Sequence, residues 1–267
     1  MCSHPTLPLY LSGAQDGSVR LWEWNHQQEL ATPQQPGKFA KVTRVQFNQL
    51  GNKFGVSDAD GNLSLWQVAL QVSRPFYTVK ANSKQCSDFT FLGSSSVVVT
   101  AGESLDHRNV SLWDTLLKAR KSRVASFACL EAHGASAVLF CPLNQLLLAG
   151  GRRGELCVLE VRQKRERARW QAHETAVKCM ALEPGEAYFA TGSADGDIKI
   201  WAINSENTLL FFFPGEHARS TLFRNLGMGV SHLYIDGYSR LFSCGADGSM
   251  KMRQLPDKTA CSIVNFF

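Results

Sequence analysis

Residues Asp195-Gly196-Asp197-Ile198-Lys199-Ile200-Trp201 read as a tight turn followed by an alternating strand that ends on tryptophan. Asp-Gly is a turn former because glycine tolerates positive φ. Alternation of apolar with polar side chains is the period of a half-buried strand. The phrase returns as Asp16–Trp22 and Asp60–Trp66, and with variation in copies ending at Trp113, Leu159 and Arg253. Successive end points lie 44, 47, 46, 42 and 52 residues apart. Around the 195–201 copy, apolar runs at 176–182, 187–193, 197–203 and 208–213 are separated by turn residues. One repeat is therefore expected to fold as four short antiparallel strands, with few helices anywhere.

A period near about 40–45 residues, with this turn and a terminal tryptophan, is the signature of the WD-repeat β-propeller. The expected fold is all-β, a single propeller domain over 1–267 with six recognisable blades at about 1–36, 37–82, 83–130, 131–170, 171–214 and 215–267. Leu9-Tyr10-Leu11-Ser12-Gly13 already corresponds to a second strand, so the first blade is expected to be truncated at its N-terminus. On that reading the chain is expected to be the C-terminal piece of a longer propeller protein, or a product initiated at an internal methionine.

The composition excludes several classes. A chain 44% hydrophobic and 19% charged is globular rather than disordered. Its longest unbroken apolar run, Leu209 to Phe213, is far short of the roughly 20 residues of a spanning helix. The segment Met1-Cys2-Ser3-His4-Pro5 lacks the basic and apolar regions of a signal peptide. A net charge of +5 permits an acidic partner without demanding nucleic acid. None of the eight cysteines form a CxxC pair, and several sit in apolar strand-like runs as small hydrophobes. A reduced, cytosolic protein follows.

Histidines 133, 173 and 217 each precede a blade, which gives them a structural rather than a catalytic or metal-binding role. In the fifth repeat His173, Thr191, Asp195 and Trp201 are expected to form one polar network. Indole can only donate, ionised carboxylate can only accept, and imidazole does both. The fourth repeat keeps His133 but has Leu159 for Trp; the sixth keeps His217 and Asp247 but ends at Arg253. Gly150-Gly151-Arg152-Arg153-Gly154 is no phosphate loop, since no helix follows it.

Two basic runs are the candidate partner-binding residues. Lys118, Arg120, Lys121 and Arg123 lie between the third and fourth strands of the third blade. Arg162, Lys164, Arg165, Arg167 and Arg169 occupy the same connection of the fourth. Equivalent loops of neighbouring blades share a face, so the two are expected to form one patch for an acidic protein surface or anionic headgroups. The long connection Pro214–Gly229 is a second candidate for recognition.

More specific stretches carry a resemblance. His4 to Arg20, Ser87-Asp88-Phe89, Arg108 to Leu116, Glu216-His217-Ala218, Phe223 to Gly227 and Arg240 to Gly248 resemble the C-terminal WD-repeat region of the DmX-like (rabconnectin alpha) proteins. The likeness covers essentially the whole chain. It implies a non-enzymatic cytosolic scaffold that promotes assembly of the vacuolar-type proton pump (V-ATPase), and so vesicle and endolysosomal acidification. It further implies similarity to the largest subunit of the fungal RAVE complex. The implied partners are V-ATPase subunits, a rabconnectin beta-type WD-repeat protein and regulators of Rab GTPases, with peripheral association on synaptic and other vesicles. No catalytic residue, metal or cofactor is implied, and no nucleic acid. A substrate receptor of a cullin ubiquitin ligase is the alternative; it often carries Trp-Asp-x-Arg, whereas Trp113-Asp114-Thr115-Leu116 lacks the arginine and Leu159-Glu160-Val161-Arg162 is degenerate. An enzymatic propeller would need convergent carboxylates, and the Asp residues here belong to turns.

Overall fold

The computed structural model describes residues 1–26, 29–32, 40–68, 74–131, 133–217 and 229–255. The chain separates into two compact units, Met1–Pro142 and Leu143–Phe267. In the first, blade one is β1 (Cys2–Ser3), β2 (Leu9–Gly13), β3 (Val19–Glu23) and β4 (Glu29–Ala31). Blade two is β5 (Val42–Phe47), β6 (Lys53–Asp58), β7 (Asn62–Gln67) and β8 (Tyr77–Lys80). Blade three is β9 (Gln85–Phe91), β10 (Val97–Glu103), β11 (Val110–Asp114) and β12 (Arg123–Phe127), and β13 (Ala135–Cys141) completes the unit.

The second unit holds β14 (Leu146–Gly151), β15 (Glu155–Glu160) and β16 (Arg165–Gln171) of blade four. Blade five is β17 (Val177–Leu182), β18 (Tyr188–Ser193), β19 (Ile198–Ala202) and β20 (Leu209–Phe213). Blade six is β21 (Val230–Ile235), β22 (Arg240–Gly245) and β23 (Met250–Gln254), three strands among the described residues. Every sheet is an antiparallel meander in chain order, and the six form a six-bladed β-propeller fold.

The repeat explains the strands. In blade five the register pairs Ala190 with Ile200 and Gly192 with Ile198, and the turn between them places Gly196 at φ 97°. Only a residue without Cβ adopts that conformation cheaply. All four strands fall within one residue of the apolar runs read from the sequence. Blade one is shortened as expected, yet its first strand is not missing: Cys2 and Ser3 pair with Leu11 and Tyr10. His4 explains this. Its Nδ1 accepts from the backbone of Thr6 and Leu7, and its Nε2 meets the Gly51 carbonyl at 2.9 Å, which anchors the segment to blade two.

Neighbouring blades pack face to face. Leu11, Val19 and Leu21 of blade one bury themselves against Val45, Phe47, Phe54 and Trp66 of blade two. Leu63 and Leu65 of blade two meet Cys86, Phe89 and Val98 of blade three. In the second unit Ala190, Ile198 and Ile200 of blade five meet Val230, Leu233, Ile235 and Leu241 of blade six. At roughly 1.5–3 kcal/mol for each large apolar side chain buried, these interfaces dominate stability. Lateral packing, not the isolated sheet, holds each blade.

Candidate functional site

Polar chemistry inside the blades follows one register rule. The residue paired two positions before the repeat tryptophan supplies an oxygen to the indole. Trp22 Nε1 donates to Ser12 Oγ at 2.8 Å, Trp113 to Thr100 Oγ1 at 2.9 Å and Trp201 to Thr191 Oγ1 at 2.9 Å. In blade two the position is Val56, and the buried Trp66 Nε1 has no partner among the described residues. In blade four Ala149 and Leu159 leave nothing polar to join, and His133 is exposed instead of networked.

Blade five connects three of its four expected members. His173 Nε2 meets Thr191 Oγ1 at 2.8 Å, beside the Trp201 indole. Asp195 does not take part. It is exposed in its turn and makes no side-chain hydrogen bond among the described residues, so His173 Nδ1 is left buried without a partner. Burial, reinforced by the Lys199 ammonium, lowers the His173 pKa to about 4 and keeps the ring neutral.

Blade six is the complement. His217 Nδ1 lies 2.9 Å from Asp247 Oδ1, and its Nε2 lies 2.8 Å from Ser243 Oγ. A carboxylate only accepts, so Nδ1 carries the proton that it donates to Asp247. Partial burial works to raise the Asp247 carboxyl; donation from His217 and Ser249 outweighs it and holds the group well below the usual range. Arg253, in the tryptophan position, turns to Glu216 and forms a two-pronged pair at 3.1 and 3.0 Å. With Ser243 buried at 1% exposure, the Ser-His-Asp set joins turns rather than presenting a nucleophile.

Three structural residues escaped the sequence reading. Asn82 precedes Thr100 by 18 residues, as His173 precedes Thr191, and its backbone N–H bonds the Gly61 carbonyl as that of His173 bonds Gly154. That spacing was the available signal. Glu186 accepts from Leu143 N at 2.8 Å, Asn144 N at 3.0 Å and Asn144 Nδ2 at 2.9 Å, stapling blade four to blade five. Asp88 is buried in the first strand of blade three, takes the N–H groups of Phe89 and Val138, and faces Arg44 at 3.3 Å. Desolvation raises its pKa despite that arginine.

The basic runs differ from expectation in place and in charge. Residues 119–121 form a single 3-10 turn and Arg123 opens β12. Ser122 pins the turn, its hydroxyl 2.7 Å from Tyr77 Oη of blade two and donating to the Ala119 carbonyl. Lys118, Arg120 and Lys121 are exposed and form no ion pair among the described residues, whereas Arg123 lies near Asp106 at 3.7 Å and over the Trp113 ring. The second run is a connection only in part, at Arg162 and Lys164. Arg165, Arg167 and Arg169 lie on the outer strand β16, because the β15–β16 turn closes early at Lys164, φ 53°. Arg165 pairs with Glu160 at 3.1 Å, Arg167 with Glu206 at 2.7 Å and Arg169 with Glu166 at 2.7 Å. Those acids take up most of the charge the run presents, while Arg162 stays exposed without an ion pair among the described residues. The two runs belong to different units. Of the Pro214–Gly229 connection, residues 218–228 lie outside the described residues.

Beneath the Arg167–Glu206 pair lies a shallow cleft lined by Leu148, Val158, Trp170, Phe189 and Ile203, with room for about one water at 10 Å³. No helix is long and apolar enough to cross a membrane, and no cluster able to hold a metal occurs among the described residues.

Comparison with known proteins supplies the relationship. Residues 164–202, which hold β16 and most of blade five, match the WD domain, G-beta repeat model. DmX-like protein 1 of mouse and that of human are each 47% identical over 265 residues, 97% of this chain. This is a WD-repeat propeller similar to a segment of the DmX-like proteins. The chain spans 9% of the length of those two relatives. A weaker WD-type likeness, 24% identity over 74% of the chain and 47% of the relative, reaches human angio-associated migratory cell protein.

Proposed function

We propose that this propeller is a non-enzymatic docking module serving V-ATPase assembly and vesicle acidification, working on the cytosolic face of vesicle or endolysosomal membranes. Its partners on this reading are pump subunits and a rabconnectin beta-type WD-repeat protein. The carrying observation is the 47% identity to DmX-like protein 1 across 97% of the chain. Lys118, Arg120 and Lys121, exposed, without an ion pair among the described residues and held on a pinned turn, support the reading of this run as a contact. Unpaired cations on a rigid support attract an acidic surface without first breaking internal pairs.

Charge reversal tests the reading. K118E, R120E and K121E together should leave the melting temperature nearly unchanged, because exposed charges add at most about 1 kcal/mol. Capture of pump subunits should weaken, wild-type capture should fade with added salt, and vesicles should acidify less well when the variant replaces the natural protein. Normal capture and acidification by the variant would refute the contact. Failure of the wild-type protein to capture any pump subunit would refute the function.

A further inference from the structure

A four-stranded meander turns alternately at its two ends. The connections between strands one and two, and between three and four, leave a blade from one end; the others leave from the opposite end. In the unit Met1–Pro142 the first set is residues 4–8, 24–28, 48–52, 68–76, 92–96 and 115–122. The second set is 14–18, 32–41, 59–61, 81–84, 104–109 and 128–134. Contacts between neighbouring blades gather the first set at one end of the unit. His4 reaches the Gly51 carbonyl at 2.9 Å, Lys53 lies 5.6 Å over the Phe76 ring, and Tyr77 Oη meets Ser122 Oγ at 2.7 Å. Blades pack on one another through their faces, so this end is not where blade meets blade.

The two ends differ in chemistry. In sequence, the first set holds no Asp or Glu and the bases Arg74, Lys118, Arg120 and Lys121. The second set holds Asp16, Asp60, Asp106 and Glu131 against Lys38, Lys41, Lys84 and Arg108, so its charges balance. Large apolar side chains divide in the same way. Exposed in the first set are Leu7, Trp24, Leu50, Phe76, Leu116 and Leu117; in the second set only Leu105 is exposed among the described residues. Leu116 is 79% exposed, Leu50 63% and Trp24 61%. The densest grouping is Leu116 to Lys121, where two leucines run into three cations. Ser122 pins that turn at one side, and at the other the Thr115 hydroxyl donates to the Ser96 carbonyl at 2.8 Å.

We propose that this end of the unit docks on an anionic lipid bilayer, with Leu116, Leu117, Trp24 and Leu50 entering the interfacial layer and Lys118, Arg120 and Lys121 meeting the headgroups. The proposal rests on the reading of residues 118–121 as a contact made at a membrane, and it names lipid as what they touch. Charge complementarity selects the headgroup: the connections at this end carry bases and no acid to compete with it. The apolar side chains select a bilayer. They stand singly on separate turns of three blades, and a fluid acyl layer accepts them without a matching pocket for each. Tryptophan is at home at the membrane–water boundary. Surface binding to lipid strengthens with apolar area and with attraction to anionic headgroups, and this end supplies both.

Co-sedimentation of the full chain with vesicles tests this. It should bind vesicles of phosphatidylcholine mixed with phosphatidylserine, and bind phosphatidylcholine alone about tenfold or more weakly. Leu116→Ser with Leu117→Ser keeps every cation and should weaken binding to the mixed vesicles about tenfold or more. Leu105→Ser, at the opposite end, should bind as the parent does, and all variants should share the parent's melting temperature. Acyl chains carrying bromine should quench part of the indole fluorescence, and Trp24→Phe should remove that part. Equal binding to both kinds of vesicle, or parental binding by the double leucine variant, would overturn the proposal. Capture of pump subunits from detergent extract without any vesicle binding would overturn it too, and leave the pump reading standing. Vesicle binding that the leucine pair controls, without pump capture, would support it and refute that reading.

Discussion

Trp66 and Val56 stand in the register in which Trp201 donates to Thr191, yet no hydrogen bond joins them, because Val56 has no oxygen to offer. The indole N–H is buried and unsatisfied among the described residues, a condition worth about 1–3 kcal/mol. Val56→Thr adds the acceptor with almost the same shape. Its unfolding midpoint in urea should be equal to the parent or higher, by up to about 1 kcal/mol. Val99→Thr, at an equally buried site with no indole to satisfy, should lose about 1–3 kcal/mol. Equal losses at both positions would show that the Trp66 donor is satisfied in another way.

The two turn aspartates should rank opposite to what the repeat pattern suggests. Alignment makes Asp195 the more valuable, because its blade retains the tryptophan. The structure gives the bonds to Asp247, which accepts from His217 and Ser249. Asp247→Ala should cost about 1–3 kcal/mol by stranding a buried imidazole donor. Asp195→Ala should change stability by no more than about 0.5 kcal/mol, as an exposed substitution. Thermal unfolding of the two variants side by side decides the order.

His173 gives the fold an acid-sensitive element. Its folded pKa is depressed from 6.5 to about 4, so between those values the unfolded chain binds more protons than the folded one. Stability from this group is full above pH 6.5 and declines as pH falls toward 4, then levels off. His173→Gln removes that titration. The cost of the substitution measured at pH 7.5 should therefore shrink at pH 4.5, by on the order of 2 kcal/mol. A cost independent of pH would mean that the ring is not held neutral.

Glu186 should prove one of the more sensitive polar positions. Its carboxylate satisfies two backbone N–H groups and one side-chain amide in blade four. Glu186→Ala removes the acceptor from these partly buried bonds and should cost about 1–3 kcal/mol, while Glu186→Gln keeps an acceptor and should cost less. Urea unfolding of both variants gives the comparison, and identical losses would point to packing instead of hydrogen bonding.

Much was legible before any coordinates. The Asp-Gly turns, the alternation and the spacing of Trp22, Trp66, Trp113 and Trp201 are local properties, set by φ preference and by which side chains can share a buried face. They placed every strand of blade five within a residue and named Thr191, His173 and Trp201 as neighbours. The repeat by itself thus determined the fold class and the blade.

Tertiary structure alone decided which polar groups meet. Whether Asp195 or Asp247 reaches its histidine depends on how a turn leans by a few ångströms, and a hydrogen bond is lost over that distance. Arg167 is neutralised by Glu206, 39 residues away in the next blade, which no local pattern reports. Strand formation is a short-range matter of sterics and period. Pairing of charges and coverage of faces is long-range, and it needs the chain folded before it has an answer.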